Sequence, residues 1–136
     1  MELADHDVRA IIERRNAQIE GFYAHADADS LASALAEDAW QMPPNQPAVV
    51  GREAIRQYWR QAFQFGRWDF TLRTQDVAVS GPLAIERGTY IVRFTAGPGS
   101  PMPSFEDRGN YLVHWRREAD GEWRGVADAP VSELPR

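Results

Sequence analysis

The sequence predicts a single α+β domain in which helices come first and a sheet of long strands follows. Three observations lead there. Apolar residues in the first half recur at helical spacing, the second half changes to the two-residue period of strands, and no linker or internal repeat divides the 136 residues. One domain spanning 1–136 is long enough to bury its own apolar core.

Over Asp7 to Ala26, residues Val8, Ile12, Ile19, Phe22, Tyr23 and Ala26 form an apolar stripe, while Arg14, Arg15 and Glu20 take other faces. This is a first amphipathic helix. Asp27 to Ser30 supply capping oxygens ahead of Leu31, Ala34 and Leu35, which predicts a short second helix. Ala39 to Met42 reads as a short strand, stopped at Pro43-Pro44-Asn45 because proline cannot donate to a ladder. After Gly51, Ala54, Ile55, Tyr58, Trp59, Ala62 and Phe63 share one helical stripe and Arg52, Arg56 and Arg60 another. Four strands are expected next: Trp68 to Ser80, Leu83 to Thr95, Asn110 to Glu118 and Glu122 to Ala127. Gly81-Pro82, the Gly97 to Pro103 loop and the hairpin signal Asp120-Gly121 separate them.

Composition removes whole chemistries. The chain has no cysteine, hence no disulfide, thiolate nucleophile or cysteine-bound metal. All 15 basic side chains are arginine, so Schiff-base catalysis and a phosphate-loop lysine are absent too. The net charge is -5 and no basic run is interleaved with aromatics, so no nucleic-acid partner is expected. His6, His25 and His114 form no ligand spacing, and neither a metal nor a cofactor is expected. The acidic start and the lack of a long apolar run predict neither an export signal nor a membrane span, so a cytoplasmic location is expected.

Several segments carry a family resemblance: Ala-Glu-Asp-Ala at 36 to 39, Met-Pro-Pro-Asn at 42 to 45, Val-Gly-Arg-Glu-Ala-Ile-Arg-Gln-Tyr-Trp at 50 to 59, Glu-Arg-Gly-Thr-Tyr at 86 to 90 and Asp-Gly-Glu-Trp-Arg at 120 to 124. Together with the element order they resemble the nuclear-transport-factor-2-like superfamily, which includes ketosteroid isomerase and SnoaL-like cyclases. The resemblance implies a cone-shaped roll of cystatin-like topology, a strongly curved antiparallel sheet wrapped around about three N-terminal helices. It also implies a pocket for a small apolar ligand and a homodimer formed through the outer sheet face. A gap-free match to ketosteroid isomerase puts Pro43 where that enzyme carries its catalytic Asp and Ile19 where it carries an oxyanion-binding Tyr. Chemistry here therefore needs other residues.

Asp128, in Val-Ala-Asp-Ala-Pro, falls near the acid/base carboxylate of SnoaL-like cyclases, and its alternative is a solvated turn carboxylate. Glu86 shares a strand face with Gly88 and Tyr90, assigned to the pocket because glycine lets the concave side curve; its alternative is an edge Glu paired with an Arg. Asp128 and Glu86 are the candidate catalytic pair. Trp40, Trp59, Phe63 and Trp115 either line the cone or fill the core. Tyr90 and Tyr111 are candidate ligand contacts; the Tyr111 hydroxyl either donates to a ligand carbonyl or satisfies a nearby backbone group, and Asn45 is a candidate at the mouth or a turn residue. The Gly97 to Pro103 loop is a candidate lid. Three readings stay open: a ligand-binding protein, a proton-transfer enzyme of isomerase, cyclase or hydrolase type on a carbonyl or epoxide compound, and a dimerising or assembly module.

Overall fold

The computed structural model describes residues 4–134. The chain runs α1 (Asp5–Ala24), α2 (Ala28–Ser33), β1 (Leu35–Gln41), β2 (Val49–Val50), α3 (Arg52–Phe65), β3 (Gly66–Ser80), β4 (Leu83–Ala96), β5 (Phe105–Arg117) and β6 (Trp123–Ser132). The strands form one sheet in the order β2-β1-β6-β5-β4-β3. The sheet is mixed rather than wholly antiparallel: the meander from β3 to β6 brings β6 back beside β1 in the same direction, and that pair is parallel.

On α1 the buried positions are Val8, Ile12, Asn16 and Tyr23, one stripe at steps of four, four and seven, so a polar Asn sits in the middle of an apolar face. The Asp27 side chain accepts from the Ser30 N–H at 3.0 Å and starts α2. Helix α1 also covers the free edge of β3. Arg9 donates to the carbonyls of Thr74 and Gln75, both at 3.0 Å, and Glu20 accepts from the Leu72 N–H at 2.7 Å, which satisfies backbone groups that an edge strand leaves open. Gln75 is the extra residue of a bulge opposite Gly88. A Cβ on Gly88 would overlap the Tyr111 ring and the Arg73 carbonyl, so only glycine fits under that bend.

Three strands differ from expectation at their ends. Strand β1 begins at Leu35 rather than Ala39, because Leu35 pairs with Gly125 of β6 and leaves the expected second helix, which ends at Ser33. Strand β5 begins at Phe105 rather than Asn110, because Phe105 to Gly109 pair with Phe94 back to Tyr90 despite their polar sequence. Strand β6 continues past Ala127 to Ser132, with Asp128 to Ser132 paired with Val113 back to Gly109, and the two-residue β2 was not expected. Asp128 is therefore a strand residue.

Strand β4 has two distinct faces. Ala84, Glu86, Tyr90, Val92 and Phe94 point inward and are buried, whereas Leu83, Ile85 and Ile91 are exposed on the outside, as is Leu112 on β5. The core lies between this inner face and α1 and α3. Trp59 occupies its centre, 6% exposed, with ring centroids 4.8 Å from Tyr23 and 5.1 Å from Trp68. Trp59→Ala is expected to cost about 3 kcal/mol, the low end for a core aromatic, because part of the space it leaves joins an existing cavity. Chemical denaturation checks this, and a loss below about 1 kcal/mol would contradict the core role.

Candidate functional site

The inner face of the sheet and the two long helices do not close on each other completely. They leave a cavity of about 430 Å³, within the range of small-molecule sites. Ile19 and Tyr23 of α1 and Tyr58 and Trp59 of α3 form one wall. Strand residues Phe70, Leu72, Tyr90, Tyr111 and Trp115 form the other. Trp40, half-exposed, stands at the mouth beside Pro43, Pro44 and Asn45. Asn45 does two things there: it adopts a φ of 62°, the left-handed region that asparagine tolerates in turns, and it lines the opening.

Asp128 faces the cavity. The parallel register pairs it with Gln41, and both residues line the cavity, where Asp128 is partly buried. No hydrogen bond of good geometry reaches its carboxylate among the described residues, although the Gln41 amide lies close. Burial is the main cause that pushes Asp128 up to about 6, the Gln41 amide works against it, and the negative charge of Glu86 adds to the rise. Tyr23 feels the same field: burial first and Asp128 second hold its phenol well above the usual range.

Glu86 lies one layer deeper and is completely buried. Its side chain is absent from the lining; Tyr111, Asn16 and Trp115 stand between it and the cavity. One carboxylate oxygen accepts from Asn16 at 2.9 Å, from the Thr74 hydroxyl at 2.8 Å and from the Tyr111 hydroxyl, and the other accepts from the Trp115 indole at 3.0 Å. Four donors and no competing acceptor suit an acceptor-only carboxylate. The Tyr111 hydroxyl is consequently engaged inward, by a side-chain carboxylate rather than by a ligand carbonyl or a backbone group. Burial, then the neighbouring Glu86, raises the Tyr111 phenol far above its ordinary value.

A second polar group lies further along the inner face. Asp107 of β5 accepts from the Tyr90 hydroxyl at 2.8 Å and from the Ser132 hydroxyl at 2.6 Å, and all three line the cavity. Sequence reasoning missed Asp107 and Ser132 because the strands that carry them were expected to be shorter. It also missed Tyr23, Gln41 and Asn16 as site residues. The signal for Asn16 was present: a polar residue inside an apolar helical stripe.

Of the residues singled out from sequence, Asp128, Trp40, Asn45, Trp59, Tyr90, Tyr111 and Trp115 line one cavity. Phe63 does not; it packs on Trp59 at 5.7 Å and on Tyr23 at 6.3 Å, one turn further along the same face of α3. No residue of the Gly97 to Pro103 loop lines it either, since the loop returns against Phe65 at the other end of α3. Pro43 and Ile19 both line the cavity, so the positions matched to the catalytic groups of ketosteroid isomerase are present but apolar. Among the described residues no three metal-ligating side chains cluster, and no helix is long and apolar enough to cross a membrane.

Residues 16–126 match the family model of the SnoaL-like domain. No curated protein matches the sequence. Among solved structures, the chain is similar to a conserved protein from Planctomyces limnophilus, with a TM-score of 0.84 at 20% identity over 96% of this chain and 99% of that one. It is also similar to a ketosteroid isomerase-like protein from Erwinia carotovora atroseptica, with a TM-score of 0.78 at 20% identity over 93% and 96%. A nuclear-transport-factor-2-like protein with a cystatin-like fold from Novosphingobium aromaticivorans gives 0.72 at 22% identity over 88% and 78%. At these identities the likeness is one of fold.

Proposed function

We propose, since this chain belongs to the SnoaL-like domain family, that its cavity binds a small apolar molecule and that Asp128 moves a proton on it. One observation carries the reading: Asp128 opens onto an aromatic-walled cavity without a hydrogen-bond partner of good geometry and titrates at about 6. A general base works best when its pKa lies near the working pH, and burial supplies that shift here. Tyr23 and the Gln41 amide, beside Asp128, are the donors available to a developing oxyanion next to the reacting carbon. The class of reaction is proton abstraction next to a carbonyl or opening of an epoxide, as in isomerases, cyclases and hydrolases. The test is deuterium incorporation next to the carbonyl of apolar ketones in heavy water, followed by mass spectrometry. Exchange above the buffer rate supports the reading; binding without exchange would leave a non-catalytic carrier.

The outer face supports a second element of the proposal, a homodimer. Ile85, Ile91, Leu112 and Val131 are 38%, 39%, 51% and 64% exposed, and pairing places them on neighbouring outer strands. An apolar sheet face of that kind is stabilised by a partner, and a second copy covers it with two-fold symmetry. Light scattering at micromolar concentration is expected to give twice the chain mass, and Leu112→Arg to give one chain mass without a change in fold. A monomer mass for the unmodified chain would remove this element.

A further inference from the structure

The cavity has a one-sided electrostatic character. Fourteen of the arginines fall within the described residues, yet none lines the cavity, nor does any histidine, and the charged side chains on its inner surface are carboxylates. At the β4–β5 end the donors are also engaged. The hydroxyls of Tyr90 and Ser132 donate to Asp107, the Tyr111 hydroxyl and Trp115 indole donate to Glu86, and the Trp68 indole donates to the Ala62 carbonyl at 3.0 Å. What remains for a ligand at this end is acceptors: the carboxylate of Asp107, which has lone pairs beyond the two in use, and the Tyr90 oxygen.

The surroundings of Asp107 are aromatic. In the strand register Phe70, Val92 and Asp107 form one cross-strand row, and Trp68, Phe94 and Phe105 form the next. Trp68 and Phe70 are stacked with centroids 6.4 Å apart, and Phe105 meets Trp68 edge-on at 5.8 Å. Of the lining carboxylates Glu106 is paired with Arg93 at 2.6 Å, whereas Asp107 pairs with no basic side chain among the described residues. A carboxylate without a basic partner beside an aromatic cluster favours an organic ammonium and disfavours an anion. Asp128 lies four residues from Ser132 on β6, roughly 13 Å along an extended strand, so the two carboxylates serve different ends of one ligand.

We propose that the Asp107 end of the cavity is the seat of a protonated amine, so that the ligand class is an apolar amine whose reacting portion reaches Asp128. This rests on Asp128 facing the ligand, as in the function proposed above. The test uses three matched probes, 2-(2-naphthyl)ethylamine, 2-(2-naphthyl)ethanol and 2-naphthylacetate, titrated by calorimetry at about pH 7.5, where the amine is protonated and the acid ionised. The amine is expected to bind about ten-fold more tightly than the alcohol, and the acid at least ten-fold more weakly than the alcohol, the scale of a cation–π and charge-assisted contact. Asp107→Asn keeps an acceptor for Tyr90 and removes the charge. It should bring the amine to within about two-fold of the alcohol, and continued binding of the alcohol shows that the cavity is intact. Asp128→Asn should keep the amine preference. Equal affinity of amine and alcohol for the unmodified chain, or an amine preference that survives Asp107→Asn, overturns the proposal. If Asp128→Asn alone abolishes the preference, the ammonium sits at Asp128, and both this inference and the role of Asp128 as a free base fall. An unmodified chain that shows no amine preference yet carries out ketone exchange through Asp128 overturns the amine seat alone.

Discussion

Asp128→Asn is expected to lower the rate of proton exchange by roughly 10²- to 10⁴-fold, the usual worth of a positioned general base, while ligand affinity stays within a few fold. The amide keeps the size of the side chain and loses the basic oxygen. The pH profile of the unmodified protein should rise with a midpoint at about 6, because the base must be ionised to accept a proton. The groups that face it are Gln41 on β1, Tyr23 on α1, and Tyr90, Tyr111 and Glu86 on the central strands, and the tyrosines titrate too high to shape that limb. Stability should move in the opposite direction to activity. A carboxyl raised from 3.8 to about 6 on folding stabilises the native state in acid and loses that contribution as pH rises through 6. Asp128→Asn should therefore match the unmodified chain near pH 4 and exceed it by about 2 to 3 kcal/mol at neutral pH. Denaturant midpoints at the two pH values give the comparison. Unchanged exchange in the variant would clear Asp128 of the chemistry.

Glu86→Ala is expected to be the most damaging substitution, at about 5 kcal/mol or more. It removes the one acceptor shared by Asn16, Thr74, Tyr111 and Trp115, and each buried donor left without a partner costs about 1 to 3 kcal/mol. Three of those donors come from different elements, α1, β3 and β5, so the carboxylate ties the helix to the sheet. Glu86→Gln keeps the size but turns an NH₂ toward donors, and it should cost about half as much. Circular dichroism melts of both variants test the ordering. A Glu86→Ala protein as stable as the unmodified chain would mean that water replaces the carboxylate.

The helices and the inward face of β4 were legible because burial imposes a strict period on them. Glu86, Tyr90 and Phe94 alternate with exposed neighbours, and Ile55, Trp59 and Ala62 keep one stripe. The extent of β5 was not legible. Glu106, Asp107 and Arg108 follow a proline-rich loop and read as more loop, and only pairing with β4 makes them a strand. The depth of Glu86 was hidden for a related reason: alternation tells the face of a residue but not which neighbour stands in front of it. The gap-free match to ketosteroid isomerase placed Ile19 at the Tyr position, and Tyr23, which lines the cavity and feels the Asp128 charge, lies one helical turn further on.

The parallel pairing of β1 with β6 has a kinetic consequence. Gln41 and Asp128 meet across that ladder, so the two polar residues at the heart of the cavity are joined by the most distant strand pairing of the sheet. Closing so long a segment of chain carries an entropic cost that local hairpins escape, and the meander β3-β4-β5-β6 has every reason to form first. The ligand chamber then comes into being only at the last docking step, when β1 pairs with β6. Until that moment the chain exposes two open strand edges, and any ligand present can bind only the finished sheet, so it acts by slowing undocking rather than by guiding the search.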